Sequence, residues 1–118
     1  MYRRFLLLAL ATIAVNTAAA RSFEMIEGAY EAALGDVTFP ASTAGTLIVR
    51  LCGNCDPIAM PVSSSTVYKQ GSATLPLAEF LNAVAEVRLE PNGNDRTAVS
   101  VFYSLDNNRV TRVVLHTQ

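Results

Sequence analysis

The amino terminus sets the frame for everything that follows. Met1-Tyr2-Arg3-Arg4 is basic, Phe5 to Val15 is an apolar run, and Asn16-Thr17-Ala18-Ala19-Ala20 is a tail of small residues. That order is the order of a secretory leader. Positive charge stays on the cytoplasmic side, the apolar stretch enters the membrane, and alanines occupy the two positions a signal peptidase selects. Ala18-x-Ala20 places the cleavage after Ala20. A membrane anchor needs about 20 apolar residues, and Phe5–Val15 is too short for one. The sequence is therefore read as a signal peptide, residues 1–20, followed by a single small globular domain, residues 21–118. Arg3-Arg4-Phe5-Leu6 has some likeness to a twin-arginine signal but lacks the residue that usually parts the arginine pair from Phe-Leu. No cysteine lies near the cut to carry a lipid. The expected location is periplasmic or secreted, with no stable membrane span after cleavage.

Export leaves about 98 of the 118 residues, enough for one modest core. Seven basic and ten acidic side chains remain, in no run of either sign. Nucleic acids and anionic membranes demand a clustered positive face, so neither is expected as a partner.

The hydrophobic pattern predicts an α+β fold, mainly β: a small antiparallel sheet or partly open barrel, one short helix at about 76–88, and a C-terminal β-hairpin. Thr46 to Leu51 reads as a strand with Leu47, Val49 and Leu51 on one face. Ile58 to Tyr68 returns as a second extended segment, and Pro61 within it marks an edge or a bulge, with room beside it for a partner strand to add on. Leu77, Phe80, Leu81 and Val84 repeat at helical spacing behind Pro76, with Glu79 in the first turn where the helix dipole favours an anion. Pro91-Asn92-Gly93 stops that segment. Ala98–Leu105 and Arg109–Thr117 alternate around Asp106-Asn107-Asn108, which is turn chemistry. The hairpin is expected to place Thr111, Val113 and Leu115 on one face. Residues 22–34 fit either a helix capped by Ser22 and stopped by Gly35, or, in their second half, a strand running from Tyr30 toward Pro40.

Several of these residues together form a familiar outline. Thr66-x-Tyr68, Gly71, Leu75-x-Leu77-Ala78-Glu79-Phe80, Val99-x-Val101-x-Tyr103 and Val110-Thr111-Arg112-Val113-x-Leu115 span roughly residues 46–116. The pattern resembles small exported bacterial domains, of no assigned activity, that look like partly open β-barrels. The resemblance implies a small barrel with one helix and implies no chemistry.

Cys52-Gly53-Asn54-Cys55 is the one local motif with chemical content. In an oxidising compartment two cysteines this close should pair. The plain reading is a disulfide stapling a turn in which Gly53 and Asn54 accept positive φ. A thioredoxin-like redox site would need the pair at a helix N-terminus that lowers the thiol pKa, and Pro57 and Pro61 follow instead. Asp56 also adds negative charge beside the thiol. A third reading is a soft-metal site, with Met60 or His116 joining Cys52 and Cys55; zinc wants four ligands, and His116 is the chain's single histidine. Covalent haem attachment would require a histidine where Asp56 stands.

The remaining polar residues have ordinary explanations. His116 reads as a surface or edge side chain. Ser63-Ser64-Ser65-Thr66 supplies hydroxyls but no nucleophile elbow. Glu86 and Glu90 suit a solvated helix face better than a general acid/base pair. Tyr68, Phe80, Phe102 and Tyr103 suit core or cross-strand packing, with a ligand cleft between them as the sharper possibility. The resulting expectation is a non-enzymatic binding or envelope-associated module without a cofactor, held by the Cys52–Cys55 disulfide and meeting a protein or small ligand in the envelope. The alternative is a thiol–disulfide or soft-metal protein using the same two cysteines.

Overall fold

The computed structural model describes residues 26–117. The leader at 1–20, its cleavage point at Ala20 and the Ser22 cap lie outside the described residues. The chain order is β1 (Glu27–Ala33), a 3-10 turn (Leu34–Asp36), β2 (Val37–Thr38), β3 (Thr46–Val49), β4 (Ile58–Pro61), β5 (Val67–Gln70), β6 (Ala73–Leu75), α1 (Leu77–Arg88), α2 (Gly93–Arg96), β7 (Ala98–Ser104) and β8 (Val110–Leu115). Five strands form one sheet in the order β1-β7-β8-β5-β6, and β2-β3-β4 form a second. The fold is α+β and mainly β, and neither sheet closes into a barrel.

The ambiguous segment resolves as a strand over Glu27–Ala33, so the helical alternative fails there, and the expected strand from Tyr30 toward Pro40 is broken at Leu34–Asp36 into pieces of two different sheets. Tyr30 and Ala32 pack against the core while Ala29 and Glu31 are exposed, which is the period of two that a sheet imposes. Gly28, a poor residue for a helix interior, has a packing role in the strand. It lies opposite Tyr103, and a Cβ on it would sit 2.5 Å from the ring's Cζ. The glycine makes room for Tyr103, which in turn stacks on Tyr30 at 4.8 Å between centroids. The 3-10 turn then diverts the chain into the second sheet, anchored by fully buried Leu34, whose N–H donates to the Thr97 carbonyl at 2.8 Å.

In β3 the alternation holds for Leu47 and Val49, both fully buried. The strand ends there, and Leu51 stands in the following loop, 45% exposed, rather than on the core face. Ile58–Tyr68 is not one strand. It is β4 in the small sheet, a turn at Ser63–Thr66, and β5 in the large one. Thr66 holds that switch: its hydroxyl donates to the Val110 carbonyl at 2.7 Å and accepts the Ser63 N–H at 3.0 Å.

Helix α1 occupies Leu77–Arg88, with Pro76 one residue before it and the Phe80 N–H closing the first turn on the Pro76 carbonyl at 2.9 Å. Leu75 belongs to β6 instead. The buried stripe is Phe80, Ala83, Val84 and Val87, flanked by partly buried Leu77 and Leu81. It covers the inner face of the large sheet, where Tyr68, Val99, Val101, Val113 and Leu115 are buried with Leu47, Val49 and Met60 from the small sheet.

The C-terminal hairpin pairs β7 with β8, but not with a uniform register. Phe102 faces Arg112 and Tyr103 faces Val110, so Thr111 is an extra residue, a bulge. Val110 therefore takes the core position expected of Thr111, and the Thr111 hydroxyl donates to the Glu27 carboxylate and to the Phe102 carbonyl. Strand β8 pairs in parallel with β5, which sequence alternation does not reveal.

Candidate functional site

Cys52 and Cys55 are joined by a disulfide with 5.0 Å between their Cα atoms. They sit at the tip of the loop from Arg50 to Pro57 that links β3 to β4, and the Cys55 N–H donates to the Cys52 carbonyl at 3.2 Å. Neither Gly53 nor Asn54 takes a positive φ, contrary to expectation. No helix follows Cys52 to stabilise a thiolate: the next described element is strand β4. The other soft-metal candidates lie elsewhere. Met60 is buried in the core, 2% exposed. The His116 Nε2 shares a 2.7 Å hydrogen bond with Ser100 Oγ across the large sheet. Among the described residues no three His, Cys, Asp or Glu side chains are grouped to hold a metal ion.

His116 borders a notch of about 300 Å³ with Gln70, Glu86, Glu90, Arg96 and Thr97. Glu86 is exposed on α1, whereas Glu90 lies two residues past the helix end at Arg88, so the two do not share a helix face as their spacing suggests; neither makes an ion pair among the described residues. Ser100 and His116 form a hydroxyl–imidazole pair, but no described carboxylate engages the second ring nitrogen to orient it as a base. On the outer face of the large sheet, the Arg112 guanidinium lies 3.9 Å from the Phe102 ring centroid and 3.7 Å from the Glu27 carboxylate. This contact places Phe102 outside the core that Tyr68 and Phe80 share.

The most distinctive arrangement concerns the sheet edges. A bare edge exposes unpaired N–H and C=O groups, which folds usually blunt. Four edges exist among the described residues: β1 and β6 in the large sheet, β2 and β4 in the small one. Strand β6 is only three residues long and β2 only two. In β2 the outward carbonyl of Val37 is capped by Arg88 Nη2 at 3.1 Å. In β4 the bond from the Val62 N–H to Gly45 fixes which residues face β3, and alternation then turns Ala59 and Pro61 outward. Pro61 is thus an edge residue, as expected, and its ring removes an outward donor.

Strand β1 has no such device. It is seven residues long. The Leu105 N–H donates to the Ile26 carbonyl and the Leu34 N–H to the Thr97 carbonyl. Even-numbered residues therefore bond β7, and the backbone groups of Glu27, Ala29, Glu31 and Ala33 point away from the sheet. No described residue bonds them. Sequence reading missed this site, although the alternation of Glu27, Ala29 and Glu31 with Gly28, Tyr30 and Ala32 carried its signal. Comparison of the chain with protein-family models, with curated proteins and with solved structures finds no match, so the geometry alone carries the functional reading.

Proposed function

We propose that this protein is an exported, non-enzymatic binding module of the cell envelope, periplasmic or secreted, that docks its partner along an open sheet edge. The observation that carries the reading is the contrast between β1, long and unpaired on its outer side among the described residues, and three edges that are short, capped or closed by proline. Strand addition to such an edge is a recurrent mode of peptide recognition, with main-chain bonds supplying affinity. The leader-like amino terminus and the surface disulfide support export, because such bonds persist in oxidising compartments. No helix among the described residues is long and apolar enough to cross a membrane.

Site-specific photocrosslinking in cells tests the binding role. A photoreactive residue at position 29 should form a discrete adduct, and one at position 59, on the blunted edge, should not. Equal labelling at both positions, or none at either, defeats the reading. Mass spectrometry of the same material should find a chain beginning at Arg21. The competing thiol–disulfide role is separated by the reduction potential of the pair. A structural bridge lies below about −300 mV, whereas a labile, oxidising value would favour redox function.

A further inference from the structure

We infer that the β1 edge accepts an extended peptide segment alternating cationic with apolar side chains, rather than a second copy of this chain; this rests on the reading of the domain as a strand-docking module. An added strand bonds to the outward groups of Glu27, Ala29, Glu31 and Ala33. Its residues opposite these four share the outer face of the sheet with the Glu27 and Glu31 side chains. Glu27 is already engaged by Thr111 and Arg112, while Glu31 is exposed, with no ion pair among the described residues. A cation on the incoming strand therefore meets Glu31 directly. Near Ala33 the same edge opens into a shallow notch lined by Glu31, Asp95 and Arg96, two carboxylates against one guanidinium, so the acidic side chains outnumber the basic one beside the edge. The alternate residues of the incoming strand fall on the other face, beside the stacked rings of Tyr30 and Tyr103, where an apolar side chain is suited.

The same glutamates reject self-pairing. In an antiparallel pair of two β1 strands with Ala29 opposite itself, Glu27 of one copy meets Glu31 of the other. With Glu31 opposite itself, two carboxylates face directly. The intermediate register, Glu31 opposite Ala29, leaves the two Glu31 side chains on a diagonal of the same face. Each arrangement sets like charges together on a sheet surface, which destabilises the pair.

Backbone amide exchange, read residue by residue by NMR on the purified oxidised protein, tests this. Two capped nine-residue peptides serve as probes, one alternating valine with lysine and one alternating valine with glutamate. In the free protein the amides of Ala29 and Glu31 should exchange fast and those of Tyr30 and Ala32 slowly. The lysine peptide should protect Ala29 and Glu31 and bind roughly tenfold tighter than the glutamate peptide, since attraction at one pair and repulsion at the other each contribute a factor of a few. Glu31→Lys should invert that preference. Ala29→Pro should abolish binding of both peptides while leaving the bonds to β7, because only the outward donor is removed. Equal affinity for both peptides would overturn the partner chemistry while leaving the edge reading standing. Protection of Ala29 and Glu31 in the free protein, or no protection with either peptide, would overturn both. Protection that grows with protein concentration alone would identify a second copy as the occupant and overturn the inference.

Discussion

Replacing Gly93 with alanine should be among the most damaging single-methyl additions this fold can receive. Gly93 is buried at the start of α2, just after Asn92, which takes the left-handed conformation at φ 59°. Gly93 is not required for its own φ. It is required for space: a Cβ there would overlap the Val87 carbonyl oxygen and lie 3.0 Å from the carbonyl carbon. These are backbone atoms of the last turn of α1, and the Val87 carbonyl already accepts the Glu90 N–H at 3.0 Å. To admit the methyl, α2 must move off α1, or that turn must open. Overpacking of this kind costs about 1–3 kcal/mol, and one or two strained terminal hydrogen bonds add about 0.5–1.5 kcal/mol each. The expected loss is thus about 2–4 kcal/mol. In a domain near 100 residues each kcal/mol moves the melting temperature by about 4–8 °C, so calorimetry should show a fall of at least about 8 °C. Gly53→Ala is the control, because a Cβ at Gly53 meets nothing within 4 Å; its melting temperature should stay within about 3 °C or rise slightly. A Gly93→Ala protein melting within about 3 °C of wild type would refute the packing argument.

Three further perturbations probe other parts of the fold. Thr66→Val keeps the shape but orphans the buried Val110 carbonyl and the Ser63 N–H, so chemical denaturation should show a loss of about 1–3 kcal/mol. Tyr68→Phe should have the opposite sign, neutral or stabilising by up to about 1 kcal/mol, because the Tyr68 hydroxyl is buried with no hydrogen-bond partner among the described residues. Burial raises the Tyr68 pKa above the usual tyrosine value of 10.0, so the folded state favours the neutral phenol. The unfolded chain ionises first, and wild-type stability should fall as pH rises above 10 while Tyr68→Phe falls less, as urea titrations at pH 8 and pH 11 would show. Converting Cys52 and Cys55 together to serine should cost no more than about 2 kcal/mol, the entropy-model figure for so short a loop, read as a melting shift of about 8–16 °C.

The sequence was most legible where one local rule acted alone. Pro76, Glu79 and the apolar repeat through Val84 specify the first part of α1 without help from distant residues, whereas Ala85, Val87 and Leu89 also alternate as a strand would, and only the structure shows the helix running on to Arg88. Asp106-Asn107-Asn108 marks the final turn, and the Asn107 side chain does accept the Arg109 N–H at 3.0 Å. Reading failed where two rules competed or where distance mattered. The spacing of Phe23, Ile26, Ala29, Tyr30 and Ala33 permits a helix, and only the pairing of Glu27–Ala33 with β7, some seventy residues later, favours the strand. The polarity pattern around Thr111 is the same whether or not that residue is bulged. The parallel partnership of β5 with β8 leaves no local trace. The disulfide was legible from the spacing of Cys52 and Cys55, whereas the alternation over 27–32 could mark a strand but not that it is an edge, because an edge is defined by which strands are missing beside it.

That last point bears on why β1 matters. A seven-residue edge with outward amides is a hazard as well as an opportunity, since any extended chain can add to it. This fold shows three ways of removing the hazard, in Pro61, in Arg88 over the Val37 carbonyl, and in the brevity of β2 and β6. On β1 the backbone is left open and only the side chains are charged. Charges on an edge filter partners by sign; they do not stop pairing as proline does. An edge that excludes its own copy yet admits a complementary strand is selective, and selectivity is what a binding surface needs beyond a closed one. The stapled loop and the docking strand lie in different sheets, and every ladder bond of β1 runs to β7. The disulfide therefore staples the loop between the two longer strands of the small sheet, away from the β1 ladder.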